Sequence, residues 1–315
     1  MTKLGTSDLD VSRLCLGGNV FGWTADEEAS FAVLDAYVAA GGNFVDTADV
    51  YSAWGDAHVG GESETVIGRW LKARGNRDAV IVATKVGMLE VGGLDNLRAD
   101  TIATAAENSL RRLGVDHIDL YYAHQDDPKT PQEETLAAFD ALVKAGKVRY
   151  VAASNYTAAR LTSALEVSER EGFAEYVALQ QHYNLVERSY EGELSTAVAD
   201  AGLSSAPYWS LAKGFLTGKY RPGVEVESVR AAGASKYLDD RGLRVLAALD
   251  EVAAAHGTSV ASVALAWLAA QPTVAAPIAS ARTADQLDDL LPALELELKA
   301  DEIARLTAAS EVQIS

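Results

Sequence analysis

The sequence predicts a (β/α)8 barrel, a closed ring of eight parallel strands surrounded by helices, as one domain over residues 1–315. Short apolar runs rich in β-branched residues recur along the chain and alternate with segments of helical pattern. The five clearest consecutive runs start 28 to 38 residues apart, which suits one strand, one helix and two loops. No Gly-x-Gly occurs anywhere, so the fingerprint of a dinucleotide-binding open sheet is missing. The barrel is therefore favoured over a doubly wound sheet.

The predicted strands follow one another in chain order, and no Gly/Ser-rich or Pro-rich linker divides the series. They are expected around residues 13–18, 43–47, 79–84, 117–122, 148–153, 176–180, 203–210 and 274–280. Strands of a parallel sheet are covered on both faces, which explains why these runs are mostly apolar rather than alternating.

The helices between the strands have recognisable ends. Asp100 and Thr157 stand where N-caps are expected, and Pro131 precedes an acidic first turn. Gly114 and Gly146 stand where a helix ends in the left-handed conformation. These signals predict helices after the third, fourth and fifth strands.

Two long loops are expected, one over residues 54–61 after the second strand and one over residues 212–240 after the seventh. Active sites of such barrels lie at the carboxyl ends of the strands, where the strand-to-helix loops meet. Both loops are therefore expected to overhang an active site.

Composition restricts the class of ligand. The chain has 45 acidic and 27 basic residues, a net charge of −18, which disfavours nucleic acid and anionic membrane surfaces as partners. The lone cysteine, Cys15, has no internal disulfide partner. The N-terminal residues lack the basic-then-apolar pattern of a signal segment. The most apolar stretch of the chain, residues 260–270, is too short to span a bilayer. A cytoplasmic protein with a small-molecule substrate is expected; the oligomeric state is left open. The histidines lack metal-ligand spacing, so no metal is expected.

Four side chains at strand ends form a candidate proton-transfer set. Asp46 ends the second strand, Tyr51 follows it, Lys85 ends the third strand and His124 ends the fourth. Each has an ordinary structural interpretation as a cap, a surface ion pair, a core histidine or a packing residue. Their shared position at one mouth of the barrel favours a catalytic role.

A chemical role for the set follows from the residue types. A phenol has a pKa of about 10, and a neighbouring ammonium from Lys85, with Asp46 as counter-ion, is expected to lower the pKa of Tyr51. His124 is expected to orient a substrate carbonyl. No Ser or Cys is convincingly placed for covalent attack, so a hydride donor is the natural partner for a carbonyl that receives a proton.

At these residues the sequence resembles the aldo-keto reductases nearly from end to end. The resemblance rests on residues 41–52, 61–64, 83–85, 122–124, 146–155 and 179–188. It implies an eight-stranded barrel that binds NADP(H) in extended form, with Asp46, Tyr51, Lys85 and His124 as the catalytic tetrad. Tyr51 is the general acid in this interpretation.

The resemblance also implies the cofactor contacts. Ser154, Asn155 and Gln180 match positions that hold the nicotinamide carboxamide, and Trp209 matches an aromatic residue that stacks on the ring. The remaining matched positions, along the pyrophosphate and the adenosine phosphate, are Ser210, Leu211, Lys213, Gly214, Lys219, Ser280, Arg282 and Gln286.

Arg282 over a 2′-phosphate favours NADP over NAD, because a planar guanidinium meets phosphate through two hydrogen bonds. Two departures oppose this preference: Ser280 replaces a common glycine, and Asp289 stands near a position often held by asparagine. The late loop and last strand contain a basic cluster that suits an anionic cofactor. Its members are Lys213, Lys219, Arg221, Arg230, Lys236 and Arg282.

Phe21, Trp23, Trp54 and Met88 are the expected substrate-pocket residues, on the loops after the first three strands. Apolar and aromatic walls suit an aryl aldehyde, an apolar ketone or a sugar face equally well. A carbonyl reductase is the leading hypothesis, and a cofactor-sensing subunit of low turnover, similar to the β subunits of potassium channels, is the alternative. A lyase or isomerase with Lys85 as a Schiff base is disfavoured, because Asp46 beside Lys85 would keep its amine protonated.

Overall fold

Eight parallel strands form a closed ring in the computed structural model, which describes residues 1–311. An antiparallel hairpin of β1 (Thr2–Lys3) and β2 (Asp10–Val11) precedes the ring. The barrel strands are β3 (Cys15–Gly17), β4 (Phe44–Asp46), β5 (Ile81–Val86), β6 (Ile118–Ala123), β7 (Val148–Ser154), β8 (Tyr176–Gln180), β9 (Ser204–Ser205) and β10 (Ile278–Ala279). Neighbours follow chain order from β3 to β9, and β10 pairs with β3. The predicted (β/α)8 barrel is confirmed; residues 312–315 of the predicted domain lie outside the described residues.

The ring closes between β9 and the segment that leads into β10. The Ser205 N–H donates to the Thr273 carbonyl at 2.7 Å, and the Ala275 N–H donates to the Ser205 carbonyl at 2.9 Å. The Ile278 N–H adds a bond to the Pro207 carbonyl at 2.9 Å. Every barrel strand therefore has a neighbour on each side, and within residues 1–311 the barrel sheet has no free edge.

The last two strands are shorter than predicted. The expected strand at 203–210 is reduced to β9 because Pro207 has no N–H for a ladder bond and Trp209 adopts a left-handed φ of 52°. The expected strand at 274–280 is reduced to β10, since Pro277 likewise cannot donate. Here the backbone turns into loops that line the mouth.

At least one helix follows each barrel strand. The helices are α1 (Glu27–Ala39), α2 (Glu62–Arg74), α3 (Ala99–Leu113), α4 (Gln132–Lys144), α5 (Ala158–Glu171), α6 (Glu193–Asp200), α7 (Ala231–Ala234), α8 (Asp240–His256), α9 (Val260–Ala269), α10 (Ala284–Asp288) and α11 (Ala300–Ala309). Within residues 1–311 no single helix has the length and apolar character to cross a bilayer; α8 and α9 pass such a test only as a pair, and they meet at a bend of 98°.

The predicted helix ends are confirmed with one exception. Thr157 caps α5 by accepting the Arg160 N–H, and Gly114 and Gly146 adopt left-handed φ values of 65° and 72°. Asp100 is not an N-cap: it is the second residue of α3, which begins after Arg98. The Ala99 N–H is bonded instead by the Glu134 carboxylate of α4, so no adjacent cap is required.

The hairpin closes one end of the barrel and leaves the other open. Leu4, Leu9 and Val11 pack in one buried cluster with Cys15 and Phe44, which point into the barrel. At the opposite end, residues 47–61 connect β4 to α2 and residues 206–239 connect β9 to α8; the latter include the 3-10 turn Ala212–Thr217 and α7. The open end is therefore the carboxyl end of the strands.

Candidate active site

The structure brings together all four residues of the predicted proton-transfer set. Asp46 is the last residue of β4, and its register partners are Gly17 of β3 and Ala83 of β5. Lys85 is next to last in β5, His124 follows β6, and Tyr51 returns over the mouth from the loop after β4. The shared register of parallel strands produces this juxtaposition.

Lys85 is the centre of the network. Its side chain is fully buried, and its ammonium donates to Asp46 Oδ2 at 2.7 Å, the Thr47 carbonyl at 2.7 Å and Tyr51 Oη at 2.8 Å. An ammonium has three N–H groups, so every donor is satisfied. This geometry opposes a Schiff-base role, because Lys85 has no free face toward the mouth.

Tyr51 keeps its proton at neutral pH. Its hydroxyl donates to Asp46 Oδ2 at 3.0 Å. Burial, reinforced by the Asp46 carboxylate, raises the pKa of Tyr51 well above its usual value, while burial lowers the pKa of Lys85 against the opposing effect of Asp46. Sequence reasoning expected the Lys85 ammonium to lower the pKa of Tyr51; burial and the Asp46 carboxylate instead set its net direction, which is upward.

His124 is a neutral imidazole. Burial, and secondarily Lys85, lowers its pKa well below the usual value. Its ring lies 6.0 Å from the Tyr51 ring, centroid to centroid, and its Nδ1 is enclosed without a hydrogen-bond partner. A neutral ring can donate one hydrogen bond to a ligand oxygen without adding charge to the site.

Two amide side chains border the tetrad. Gln180, at the end of β8, donates through Nε2 to Asp46 Oδ1 at 2.9 Å. Asn155 donates to the His124 carbonyl at 2.9 Å and accepts from Tyr208 Oη at 2.8 Å. Asn155 also adopts a left-handed φ of 56°, a conformation that costs energy for a non-glycine residue and is held by these bonds.

The tetrad opens into a cavity of about 420 Å³, called the catalytic cavity below. Its lining is Gly17, Asn19, Asp46, Val50, Tyr51, Trp54, Met88, His124, Ser154, Asn155, Gln180, Tyr208, Trp209, Ile278 and Ser280. Tyr51, His124 and both amides therefore face one enclosed space.

A second cavity of about 310 Å³, called the cationic cavity, adjoins the first and shares Trp209, Ile278 and Ser280 with it. Its other lining residues are Val20, Trp23, Thr24, Ser210, Leu211, Lys213, Gly214, Thr217, Lys219, Ser228, Val229, Arg230, Ala261, Ala279, Arg282, Gln286, Asp289 and Leu290. The two cavities form a cleft that begins at Tyr51 and ends near α10.

Four cations of the cationic cavity make no salt bridge with an acidic side chain within residues 1–311; they are Lys213, Lys219, Arg230 and Arg282. Burial, with Arg282 as the next cause, lowers the pKa of both Lys219 and Arg230. Uncompensated cations that repel one another are stabilised by a bound anion. Arg230 and Lys213 also lie 5.1 and 5.4 Å from the Trp209 ring centroid. The cleft thus fits a ligand with an aromatic end and several phosphates.

All twelve predicted cofactor residues lie along this cleft, and they line one cavity or both. The predicted basic cluster is only partly correct. Arg221 instead forms a salt bridge with Asp250 at 2.7 Å, and Lys236 lines neither cavity. Asp289 lines the cationic cavity, where its carboxylate can oppose a bound phosphate as the sequence predicts.

Two of the four predicted substrate residues lie elsewhere. Phe21 is fully buried in the core and lines neither cavity; only its backbone carbonyl, which accepts the Ser52 hydroxyl at 3.0 Å, contacts the loop after β4. Trp23 lines the cationic cavity and packs edge-on against Trp54 at 5.6 Å. Trp54 and Met88 line the catalytic cavity as predicted.

Sequence reasoning missed Asn19, Val50 and Tyr208. It placed Arg230 in the basic cluster but did not predict that Arg230 contacts Trp209. Tyr208 precedes Trp209 directly, and Asn19 follows the end of β3. Both residues lie beyond the carboxyl end of a barrel strand, as His124 does, so their position is a signal that could have identified them. Within residues 1–311 no group of three or more metal-ligating side chains is assembled.

Fold and site together define a (β/α)8 barrel with a buried acid–lysine–tyrosine network beside a cleft lined by unpaired cations. The sequence matches the aldo/keto reductase family over residues 13–311, and the chain belongs to that family. Members of this family generally use nicotinamide cofactors and act on small-molecule carbonyl compounds.

Three relatives illustrate the likeness. The chain is 36% identical over 307 residues to the uncharacterized oxidoreductase YrpG of Bacillus subtilis (strain 168), which covers 94% of this chain and 91% of that protein. It is 32% identical over 336 residues to protein tas of Escherichia coli (strain K12), with 98% and 97% covered. It is also 32% identical over 310 residues to norsolorinic acid reductase stcV of Emericella nidulans, with 93% and 76% covered.

Proposed function

We propose that the protein is an NADP-dependent reductase of aldehydes and ketones that acts as one catalytic domain with Tyr51 as general acid. One observation carries this proposal: buried Lys85 contacts both Asp46 and Tyr51 at the wall of the catalytic cavity. The catalytic cavity adjoins the cationic cavity. A proton donor and an anionic-cofactor site within one cleft suit a reaction that adds a proton and a hydride to a carbonyl group.

The residues present fit a nicotinamide cofactor. The unpaired cations Lys213, Lys219 and Arg230 suit the pyrophosphate, and Trp209 offers an aromatic face. Ser154, Asn155 and Gln180 supply hydroxyl and amide groups for a carboxamide, once the Tyr208 bond to Asn155 is exchanged. When bound, the reduced cofactor supplies a hydride to the carbonyl carbon.

Selectivity for NADP is assigned to Arg282. Arg282 lines the cationic cavity, and its backbone N–H donates to Gln286 Oε1 at 3.1 Å. An arginine can bind a 2′-phosphate through two hydrogen bonds. Asp289 in the same cavity opposes this preference through its negative charge.

The chain's own residues handle the proton. The Tyr51 phenol, kept protonated by burial and Asp46, transfers its proton to the substrate oxygen. The resulting phenolate is stabilised by the Lys85 ammonium 2.8 Å away, and Asp46 keeps that ammonium in place. Neutral His124 donates a hydrogen bond to the same substrate oxygen and orients it. The product is an alcohol, and the reverse reaction returns the proton to Tyr51.

The decisive experiment compares NADPH oxidation by the purified protein and by Tyr51→Phe, with an electron-poor aromatic aldehyde. Loss of one general acid is expected to lower kcat by about 10² to 10⁴-fold. Cofactor binding, followed by quenching of tryptophan fluorescence, should persist because the hydroxyl does not contact the cationic cavity. Equal turnover in the variant would remove Tyr51 from the reaction.

The same measurement separates a cofactor-sensing subunit from an enzyme. NADPH binding with negligible oxidation across varied carbonyl compounds would favour the sensor. The open catalytic cavity beside a complete tetrad favours the enzyme.

A further inference from the structure

Among the described residues, the catalytic cavity has no free charge in its lining. No lysine or arginine of residues 1–311 lines it, and Asp46, the one acidic lining residue, is paired with Lys85. The Lys85 ammonium contacts the cavity wall through Asp46 and Tyr51, but all three of its N–H groups are already bonded. The imidazole of His124 is neutral, and Lys213 and Arg230 line the cationic cavity instead. A charged substrate group would therefore lose its hydration in this cavity without gaining a partner.

The mouth of the catalytic cavity has exposed apolar side chains. Trp54 and Met88 line the cavity and are 49% and 37% exposed, and Val91, three residues after Met88, is 51% exposed. Val59 and the loop after β9 add further exposed valines at the same end of the barrel. Within residues 1–311, every large apolar side chain recorded as exposed lies on these mouth loops, except Met1. Exposed apolar side chains at the mouth suit the apolar body of a ligand.

One polar group inside the cavity is fixed but unused. Asn19 Oδ1 accepts the Ser280 hydroxyl at 2.7 Å, and within the described residues the Asn19 NH₂ has no recorded protein acceptor. Gly17 makes room for this contact, since a Cβ there would lie 2.5 Å from Ser280 Oγ. The bond orients the Asn19 amide with its oxygen committed and its N–H donors available to a ligand.

We propose, building on the reductase function above, that the substrate is an uncharged carbonyl compound with an apolar body and a second oxygen acceptor, and that Asn19 recognises that acceptor. Anionic substrates are disfavoured by the missing cation and by the net charge of −18. Sugars are disfavoured because their many hydroxyl groups would meet the exposed apolar side chains at the mouth.

The charge requirement is tested with methyl 4-formylbenzoate and the matching anion, 4-formylbenzoate. The ester is expected to show a kcat/KM at least about tenfold higher. Met88→Arg places a cation at the mouth and should raise activity toward the anion, which reduces the ratio at least about fivefold. Met88→Gln is the matched neutral control and should leave the ratio unchanged. Equal or greater activity toward the anion in the native protein overturns the proposal.

The role of Asn19 is tested with Asn19→Leu, which keeps the volume and removes the amide. Loss of one hydrogen bond is expected to lower kcat/KM about five- to tenfold for methyl 3-formylbenzoate and methyl 4-formylbenzoate. The kcat/KM for 3- and 4-propylbenzaldehyde, which lack the ester acceptor, should not change. NADPH affinity, measured by fluorescence titration without substrate, should not change.

An equal loss on both substrate series, or weaker NADPH binding, would overturn the assignment of Asn19. If neither the ester, the anion nor any other carbonyl compound increases NADPH oxidation by the native protein, the reductase function fails and this proposal falls with it. Turnover that favours anions, by contrast, overturns the substrate class alone.

Discussion

The two cavities of the cleft share three lining residues and differ in charge. The cationic cavity contains Lys219, Arg230 and Arg282 without acidic partners, whereas the catalytic cavity neutralises each charge locally. Both arrangements lie within a chain of net charge −18. The contrast shows how one cleft separates two tasks: unpaired cations provide affinity for an anion, and a closed network controls a proton.

Lys85→Met is expected to have the largest effect, and it acts on the catalytic cavity alone. The variant loses the ammonium that stabilises a Tyr51 phenolate, so kcat should fall by about 10² to 10⁴-fold while NADPH still binds. It also leaves Asp46 buried without its partner, which costs about 3–5 kcal/mol of folding stability.

The double variant Asp46→Asn/Lys85→Met separates these two effects. Replacing both charges removes the buried unpaired carboxylate, so the melting temperature should largely recover. Activity should stay low. Recovery of activity together with stability would show that the network only supports the fold.

Arg282→Ala is expected to have a smaller effect, confined to the cationic cavity. Loss of a two-bond contact to phosphate should raise the KM for NADPH by about 10- to 100-fold and change the KM for NADH much less. The KM for the carbonyl substrate should not move. Steady-state kinetics with both cofactors measures this, and a uniform loss for NADPH and NADH would remove Arg282 from the 2′-phosphate site.

The sequence predicts some parts of this comparison better than others. Asp46, Lys85 and His124 were located because parallel strands in register place their carboxyl ends together, which is a property of the fold class. Phe21 and Trp23 were misplaced because loop direction depends on packing that no short pattern reveals. The pKa of Tyr51 was misjudged because spacing along the chain shows a neighbouring ammonium and does not show the depth of burial.

A substitution at Asp49 is expected to have the smallest effect on the function of either cavity. Asp49 lies three residues after Asp46, and the two carboxyl groups differ in their partners. Asp46 is paired with Lys85, whereas within residues 1–311 the buried carboxylate oxygens of Asp49 make no ion pair and no hydrogen bond to another side chain. Burial, reinforced by Glu64 and opposed by Arg112, the Val50 N–H and Lys85, raises the pKa of Asp49 to about 8. The carboxyl is therefore protonated in the folded protein at neutral pH.

Asp49→Asn should stabilise the protein in a pH-dependent way and leave both KM values unchanged. Because the pKa of an unfolded aspartate is about 3.9, the unfolded chain releases a proton that the native fold retains, and native stability falls as pH rises from about 4 to 8. The variant does not lose stability in this way, so its advantage in free energy of unfolding should be near zero at pH 4 and largest above pH 8, at most about 6 kcal/mol. Chemical denaturation at pH 4.5, 6.5 and 8.5 measures the difference. A gain that is constant across these values would show that Asp49 is ionised in the native protein.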